Sequence, residues 1–528
     1  MAAKQPNFLL IITDQHRADH IGAYGNSVVR TPHVDQLAEK GWRFGGMHVA
    51  TPICMPNRAS LMTGRYPSAH GSRHNGIPLS LSSMTFVEVL RRAGYGTALV
   101  GKAHLQNMTD TPPSWPVKQE DRLTPEAVAP EEGNYDQEKR KLWLEQDDYD
   151  LSYPYYGFEH VTLVDDHSDE VHGHYRYWLR ENHPEVEAMV GPDAAVPTPE
   201  YELSKFRQAW RTRVPEELYP SAYITNQTIE QLEEYAAEGK PFFLQCSFPD
   251  PHHPFTPPGK YWDMYSPDDV QLPPSFYSDT APPPHVQWLR DQRDDGTALK
   301  STPAIFACNE REAKESIALN YGSISNIDSQ VGRIIDALDR LGLSDDTVVI
   351  FTSDHGDYLG DHQLLLKGPI HYRSLIRVPF IWFDPRSQNL AGVNEDALLS
   401  TIDIAPTILE RATADPYNGI QGKSLLSLMQ GGASRVRDAL LVEEEGQRVI
   451  LGFDSRIRCR TLLMDGRRLT IYDGVEWGEL YDLRSDPHEM KNLWGCPEHG
   501  AMKAVMLEKL AYLMLEHIET SPYPSALA

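Results

Sequence analysis

Short apolar runs alternate with helical patterns along the first 400 residues, and this alternation is the strongest constraint on the fold. Each run is too short for a helix, and most are followed by apolar residues at helical spacing. The clearest runs lie at 8–13, 95–100, 241–246, 347–352 and 379–383. Strands and helices that alternate in this way form a large, mainly parallel sheet sandwiched by helices. We therefore predict an α/β fold.

Helix starts and one long helix are also marked in the sequence. Thr31 precedes Pro32, and proline is favoured at the first position of a helix. Thr85 and Glu88 have the spacing of a capping box, in which each side chain bonds the other residue's backbone N–H. Apolar residues recur at helical spacing over 317–338, which predicts a long amphipathic helix.

Two stretches interrupt the alternation within the main domain, which we assign to residues 1–435. Residues 105–220 are rich in proline, tyrosine, tryptophan and acidic residues, and their periodicity is weak. We expect them to form an insertion over one face of the sheet. Residues 256–310 are similarly proline-rich.

A second, smaller domain is expected over residues 436–528. Short apolar runs at 440–442, 448–451 and 468–471 are followed by a helical pattern over 500–517. Short strands close together in sequence favour antiparallel pairing. We therefore predict an α+β domain made of an antiparallel sheet and one helix.

Composition excludes several functional classes. The chain has 528 residues and a net charge of −26, which repels phosphate backbones and anionic membranes. It contains no apolar run of about 18 residues, the length needed to span a bilayer. The five cysteines are scattered, so a disulfide framework or zinc ribbon is not expected. The apolar run near the N-terminus is too short for a signal peptide, so we expect a cytoplasmic protein that binds neither nucleic acid nor membranes.

Polar side chains follow four of the predicted strands. In open α/β sheets, ligands bind beyond the carboxyl ends of the strands, so these residues are expected to lie close together. Carboxylate, amide and imidazole groups together with lysine indicate a site for a metal ion and an anion. The four segments are Asp14-Gln15-His16, Gly101-Lys102-Ala103-His104, Pro249-Asp250-Pro251-His252-His253 and Ser353-Asp354-His355-Gly356.

The most specific motif is Cys54-Met-Pro56-Asn-Arg58, followed by Ala-Ser-Leu-Met-Thr-Gly-Arg. This stretch resembles the sulfatase family of the alkaline phosphatase superfamily, in which such a cysteine is converted to formylglycine. The four strand-end segments come in the family's expected order, with Lys367 a short loop after the last. The segment 479–489 is similar to the family's C-terminal domain. The alternative is a buried structural cysteine beside a loop proline.

The resemblance implies how Cys54 would act. A separate formylglycine-generating enzyme would convert it to an aldehyde, whose hydrate has two hydroxyl groups. One hydroxyl would attack sulfur or phosphorus, and the other would let the covalent ester collapse. A short helix is expected over 57–63, with its N-terminus facing the anion. Arg58, one helical turn from Cys54, would hold the hydrate or its neighbours.

The resemblance also implies a single divalent metal ion bound by Asp14, Gln15, Asp354, His355 and converted Cys54. Many sulfatases have Asp-Asp at the first pair and Asp-Asn at the second, which gives an all-oxygen shell. Here Gln15 replaces one carboxylate and His355 replaces the amide. Fewer carboxylates and one imidazole favour Mn²⁺, with Ca²⁺ or Mg²⁺ as alternatives.

The remaining candidates would bind substrate or move protons. His252 would protonate the leaving group with Lys367 beside it, and Lys102 would stabilise charge on the transferred group. His104 is the candidate base for collapse of the covalent ester, and Asn75 the candidate donor to a substrate oxygen. We expect the other histidines near these segments to bond within their loops or behind the site: His16, His167, His172, His174 and His253.

Three functions remain open from the sequence. The first is hydrolysis of an aryl or small alkyl sulfate, a small anionic ester. The second is hydrolysis of a phosphonate monoester or phosphodiester, because that sister group resembles this chain at Gln15 and His355. Lys102 and His104 favour the sulfate, since they resemble the arylsulfatase arrangement. The third is non-catalytic anion binding. The aromatic, proline-rich insertion is also compatible with a homo-oligomer.

Overall fold

The computed structural model describes residues 5–111, 127, 131–146, 149–278 and 281–526. The strands are β1 (Asn7–Thr13), β2 (Trp42–Phe44), β3 (Met47–His48), β4 (Gly96–Gly101), β5 (His160–Asp165), β6 (His172–Gly173), β7 (Phe242–Phe248), β8 (Phe306–Ala307), β9 (Thr347–Ser353), β10 (Leu364–Leu365), β11 (Phe380–Phe383), β12 (Gly392–Asn394), β13 (Leu399–Ser400), β14 (Ala439–Glu445), β15 (Arg458–Met464), β16 (Arg467–Tyr472) and β17 (Gly478–Asp482). The α-helices are α1 (Pro32–Lys40), α2 (Cys54–Thr63), α3 (Pro67–His70), α4 (Phe86–Arg92), α5 (Arg140–Glu145), α6 (His174–Asn182), α7 (Pro184–Glu187), α8 (Pro220–Glu238), α9 (Ser275–Ser278), α10 (Pro284–Asp294), α11 (Glu310–Arg340), α12 (Arg373–Ile376), α13 (Ile404–Arg411), α14 (Leu426–Met429) and α15 (Gly500–Glu516).

The large sheet confirms the predicted fold class. In the part of the chain that the structure describes, it has nine strands in the order β12-β2-β11-β9-β1-β7-β4-β5-β6. The central strands β9, β1, β7, β4 and β5 are parallel to one another. Antiparallel pairing occurs towards the edges, between β9, β11 and β2 and between β5 and β6.

Helices cover both faces of this sheet, as β1 illustrates. Its side chains alternate between faces because successive residues of a strand point in opposite directions. Phe8, Leu10 and Ile12 belong to the core beneath α2, α4 and α13. Leu9 and Ile11 belong to the core beneath α1, α8 and α11. A strand buried on both faces explains why the run is continuously apolar rather than alternating.

The predicted helix starts are correct, although one cap differs in detail. Pro32 is the first residue of α1. Thr85 Oγ1 accepts a hydrogen bond from Glu88 N at 3.1 Å, as expected of the residue that caps α4. The Glu88 carboxylate instead accepts hydrogen bonds from Arg91 and Arg92 on the following turn. These two cations compete for it, so only half of the capping box forms.

The C-terminal region contains the predicted antiparallel sheet and helix. Strands β14, β15, β16 and β17 pair in sequence order, separately from the large sheet. Leu441, Leu462 and Leu469 form a core with Met506 and Leu510 of α15. This arrangement confirms the predicted α+β architecture.

One expected strand of this sheet is wrong. Residues 448–451 lie in the loop between β14 and β15, and β14 pairs instead with β15. Leu451 and Gly452 have positive φ angles of 62° and 76°, a left-handed conformation that turns the chain out of an extended path. The loop lines a cleft described below.

The expected insertion at 105–220 contains two strands of the large sheet, β5 and β6. Part of it, at 112–126, 128–130 and 147–148, lies outside the described residues. The division of the chain between 435 and 436 stays a prediction, and β14 begins three residues later. Among the described residues, no helix combines enough length and hydrophobicity to cross a membrane.

Candidate active site

Arg58 on α2 reaches the carboxyl ends of four parallel strands. Its Nε donates to Asp354 Oδ2 at 2.9 Å, just beyond β9, and Nη2 donates to Asp14 Oδ2 at 3.3 Å, just beyond β1. Its Nη1 donates to Ser247 Oγ at 2.9 Å, within β7, and to the Lys102 carbonyl at 3.0 Å, just beyond β4. The strand-end segments therefore converge on one buried guanidinium, as the parallel sheet predicts.

Cys54 is the first residue of α2 and is buried. The helix begins three residues before the predicted range 57–63, so Cys54 itself occupies the N-terminus. Lys367 Nζ donates to Cys54 Sγ at 2.8 Å, and His355 Nε2 lies 3.3 Å from the same sulfur. His355 Nδ1 lies 2.8 Å from the Gly356 carbonyl, to which it donates, so Nε2 is left as the ring's acceptor.

The predicted metal ligands lie together. One ligand atom from each of Asp14, Cys54, Asp354 and His355 lies within 4.8 Å of the others. Asp14 Oδ1 and Gln15 Oε1 are buried oxygens without a hydrogen-bond partner among the described residues. Buried polar atoms are normally paired, so two orphaned oxygens beside this cluster are what a bound cation would satisfy. The donor set fits a divalent metal ion.

The side-chain amide of Gln15 is fixed by its nitrogen. Nε2 donates to Asp357 Oδ2 and lies 3.0 Å from His253 Nδ1. These contacts occupy the amide nitrogen and leave Oε1 as the available oxygen. Gln15 can therefore serve as the neutral ligand that the sequence predicts, and His253 lies behind it.

At the centre of the site, the cations outnumber the carboxylates that they contact. Lys102 Nζ lies 2.7 Å from Asp14 Oδ2, and both side chains are fully buried. Burial alone would raise the pKa of Asp14, but the charges of Lys102, Arg58 and Lys367 outweigh it and hold that pKa well below its usual range. Three cations thus oppose the carboxylates of Asp14 and Asp354. The excess positive charge suits an anionic substrate.

His252 and Lys367 form a hydrogen-bonded pair. His252 Nδ1 donates to the His253 carbonyl, which leaves Nε2 to accept from Lys367 Nζ at 2.8 Å. Burial, with the nearby imidazole of His167 and the charge of Lys367, holds the pKa of His252 well below its usual range. The imidazole is therefore neutral in this state and accepts the hydrogen bond from Lys367.

His167, expected from the sequence only to bond within its loop, contacts two residues of the site. Its Nε2 lies 2.8 Å from Lys102 Nζ, its Nδ1 lies 3.1 Å from Asp166 Oδ1, and its ring stacks on His252 with centroids 3.6 Å apart. The available signal was the apolar run 161–164, followed by Asp166 and His167 in the same way as the other strand ends. Placing this run in an insertion concealed the signal.

His104 and Asn75 lie at different depths. His104 is buried, and its Nδ1 has no hydrogen-bond partner among the described residues. Burial and the charge of Lys102 hold the pKa of His104 well below its usual range, so it is a neutral base. Asn75 lines an open cleft of about 110 Å³, together with Lys367 and with Ile53, the residue before α2.

The loop that carries Lys367 is held by a buried tyrosine. The Tyr358 hydroxyl lies 2.8 Å from both the Gly368 and the Ile370 carbonyl oxygens. Tyr358 is completely buried, so these carbonyls have no access to water through that side. The hydroxyl therefore fixes the backbone on the C-terminal side of Lys367.

Comparison with protein families agrees with this geometry. The family model described as Sulfatase matches residues 6–414. The model described as N-sulphoglucosamine sulphohydrolase, C-terminal, matches residues 360–516. A match over most of the chain defines its class, and this chain belongs to the sulfatase family.

Individual relatives include enzymes named for different esters. An arylsulfatase of Clostridium perfringens is 29% identical over 503 residues, covering 94% of this chain and 91% of that protein. The multifunctional alkaline phosphatase superfamily protein PehA of Trinickia caryophylli is 30% identical over 534 residues, covering 97% and 96%. The crystal structure of the phosphonate monoester hydrolase of Agrobacterium radiobacter has a TM-score of 0.75 and 27% identity, covering 98% and 97%.

Replacing Tyr358 tests whether the Lys367 loop must be fixed. Tyr358→Phe removes the hydroxyl that the Gly368 and Ile370 carbonyls share but leaves their backbone donors, Ile370 N and Tyr372 N, in place, a loss of about 0.5–1.5 kcal/mol. We expect kcat to fall by about tenfold, with a smaller change in KM, because Lys367 is less well positioned. Steady-state kinetics on an aryl sulfate measures both. Tyr95→Phe is the control, since the buried Tyr95 hydroxyl has no partner among the described residues. Equal kcat values for the two variants would contradict the prediction.

Proposed function

We propose that this enzyme hydrolyses sulfate monoesters of aryl or small alkyl alcohols. The observation that carries the proposal is the position of Cys54 at the N-terminus of buried helix α2. Its sulfur lies 2.8 Å from Lys367 Nζ and 3.3 Å from His355 Nε2, beside two carboxylates. A nucleophile at this point would face a bound sulfate ester, whose negative charge the surrounding cations would stabilise.

We propose that the nucleophile is formylglycine, formed from Cys54 by a formylglycine-generating enzyme. The hydrated aldehyde would supply a hydroxyl group for attack on the ester. The Cys54-x-Pro-x-Arg58 motif and the family relationship support this assignment. Arg58 is occupied by the strand ends, so its role here is to position Asp14 and Asp354.

One divalent metal ion is proposed at Asp14, Gln15, Asp354, His355 and position 54. The ion would add positive charge beside the nucleophile and the ester oxygens. The two orphaned oxygens and the acceptor nitrogen of His355 support the ligand set. Two carboxylates, an amide oxygen and an imidazole favour Mn²⁺ over Ca²⁺ or Mg²⁺.

The lysines and histidines are proposed to act on opposite sides of the bond that breaks, some on the transferred group and others on the leaving group. Lys102, held by Asp14 and His167, is proposed to stabilise charge on the transferred group. The Lys367–His252 pair is proposed to protonate the departing oxygen, which receives the proton that Lys367 Nζ and His252 Nε2 share.

Two further residues complete the proposed machinery. His104, neutral and buried, is the proposed base that restores the nucleophile after the leaving group departs. Asn75, at the cleft beside Lys367, is proposed to donate a hydrogen bond to a substrate oxygen. Their positions suit these roles because one is buried among the cations and the other lies at the entrance.

The second candidate is hydrolysis of phosphonate monoesters or phosphodiesters. The full-length similarity to the phosphonate monoester hydrolase of Agrobacterium radiobacter favours it. Sulfate monoesters, phosphonate monoesters and phosphodiesters each carry one negative charge, so the excess of cations does not separate them. Lys102 and His104 at the end of β4 favour the sulfate, because they resemble the arylsulfatase arrangement.

The preferred ester is tested with one aryl group carried on sulfate and on phenylphosphonate. We expect a higher kcat/KM for the sulfate, with measurable activity on both because the same nucleophile serves each ester. Cys54→Ala controls for contaminating enzymes and should abolish both activities. A preference for the phosphonate of roughly a thousandfold would reverse the order of the two proposals.

The nucleophile is tested by the mass of the tryptic peptide 44–58, taken from protein purified from its native host. We expect a peptide lighter by the difference between CH₂–SH and CHO, and resistant to thiol alkylation at Cys54. Cys496, which is partly exposed, is the internal control for alkylation. An intact, alkylatable Cys54 would contradict the proposed nucleophile.

The metal is tested by elemental analysis of protein purified without added ions. We expect close to one manganese per chain, and Asp354→Asn should reduce the bound metal because it removes a negative ligand. Asp345→Asn, a change in a surface turn, is the matched control. Calcium as the sole bound metal would contradict the preference for manganese.

A further inference from the structure

The open cleft beside Lys367 has the size and lining of a site for one aromatic ring. Its volume of about 110 Å³ is comparable with a ~150 Å³ cavity in another protein that holds benzene. The loop between β14 and β15 supplies one wall. The apolar part of the lining consists of Ile53, Pro303, Ala304, Ile305, Pro369 and Ile450.

Arg448, on the same loop, is a cation in this cleft that has no counter-ion in the part of the chain that the structure describes. Its side chain lines the cleft and is half-buried. Among the described residues, no carboxylate, carbonyl or ring pairs with its guanidinium. Burial lowers its pKa, and no charge on the described residues offsets that effect. A partly dehydrated guanidinium with unused N–H donors is stabilised by an anion that enters the cleft.

The acidic residues of the cleft are already paired. Glu444 Oε2 lies 2.8 Å from His371 Nε2, and Glu444 is buried. Lys367 is engaged by Cys54 and His252. Glu445 lies within 4.0 Å of three other arginines: Arg73, Arg458 and Arg460. Arg448 is therefore available to a ligand.

We propose that Arg448 binds a carboxylate carried by the aromatic leaving group of the substrate. The inference rests on the proposed function and names its substrate class, which is an aryl sulfate with a second negative charge on the ring. The sulfate lies at Cys54, the ring lies against the apolar lining, and the carboxylate meets the planar guanidinium. Arginine binds carboxylates through two parallel hydrogen bonds, which gives the contact both strength and orientation.

The test compares two sulfates of similar shape, 4-carboxyphenyl sulfate and 4-carbamoylphenyl sulfate. We expect Arg448→Gln to lower kcat/KM by about 10- to 100-fold for the carboxylate and by at most about threefold for the amide. Comparing each ester between enzymes cancels the different intrinsic reactivities of the two phenols. Arg448→Lys keeps the charge but loses the two parallel N–H donors of the guanidinium. It should therefore lower kcat/KM for the carboxylate by an intermediate factor.

Arg435→Gln is the matched control, because it changes net charge equally at an exposed site paired with Asp438. This variant should leave the ratio of the kcat/KM values for the two esters unchanged. Equal losses on both esters with Arg448→Gln, or no loss on either, would overturn the inference. Failure of the wild-type enzyme on both sulfates would instead reject the proposed function. The role of Arg448 would then be tested with the phenylphosphonate esters of the same two phenols. The same comparison applies: the loss of kcat/KM on the carboxylate ester against the loss on the amide ester.

Discussion

The candidate site depends on the burial of one guanidinium, that of Arg58. Moving a charge into the interior costs several kcal/mol unless it is paired and hydrogen-bonded. Arg58 meets this condition only where four strand ends coincide. The β1–β9 register sets Thr13 opposite Ser353, so Asp14 and Asp354 follow side by side. Cys54 lies one turn earlier on the same helix, and its position is therefore set by the same contacts.

This arrangement also gathers cations at one point of an acidic protein. The chain has a net charge of −26, which repels anions at long range. At the site, Arg58, Lys102 and Lys367 oppose two carboxylates. Charges interact more strongly where water is excluded, so the buried excess of cations dominates once an anion reaches the cleft. The anionic substrate is therefore recognised at short range, and the residues that line the cleft help to determine which anions bind.

The strand ends could be predicted from sequence because parallel strands bring their carboxyl ends to one edge. Asp14, Lys102, His252 and Asp354 each follow a buried run, and their convergence requires only the sheet. His167 was assigned only a loop role although its strand has the same pattern, because the surrounding segment has weak periodicity. These ends belong to the regular part of the fold, where local sequence and tertiary structure agree.

The cleft walls could not be predicted in the same way. Ile305 and Arg448 are far apart in sequence, and no periodic pattern links one segment to the other. The run 448–451 even suggested a strand, whereas the chain turns there with positive φ angles. Loop conformation depends on contacts made after the elements assemble, so leaving-group specificity is less accessible from sequence than the chemistry of the strand ends.

The C-terminal sheet takes part in the site through the segment that carries Lys367. His371 contacts Glu444 of β14 through Nε2 and Thr461 of β15 through Nδ1, each at 2.8 Å. These buried contacts join the Lys367 segment to the second sheet. The loop that follows β14 carries Arg448, so one strand supports both the proposed proton donor and the proposed selector of the leaving group. Changes in that loop can therefore alter substrate choice while the proposed metal ligands and Arg58, held by the large sheet, keep their positions.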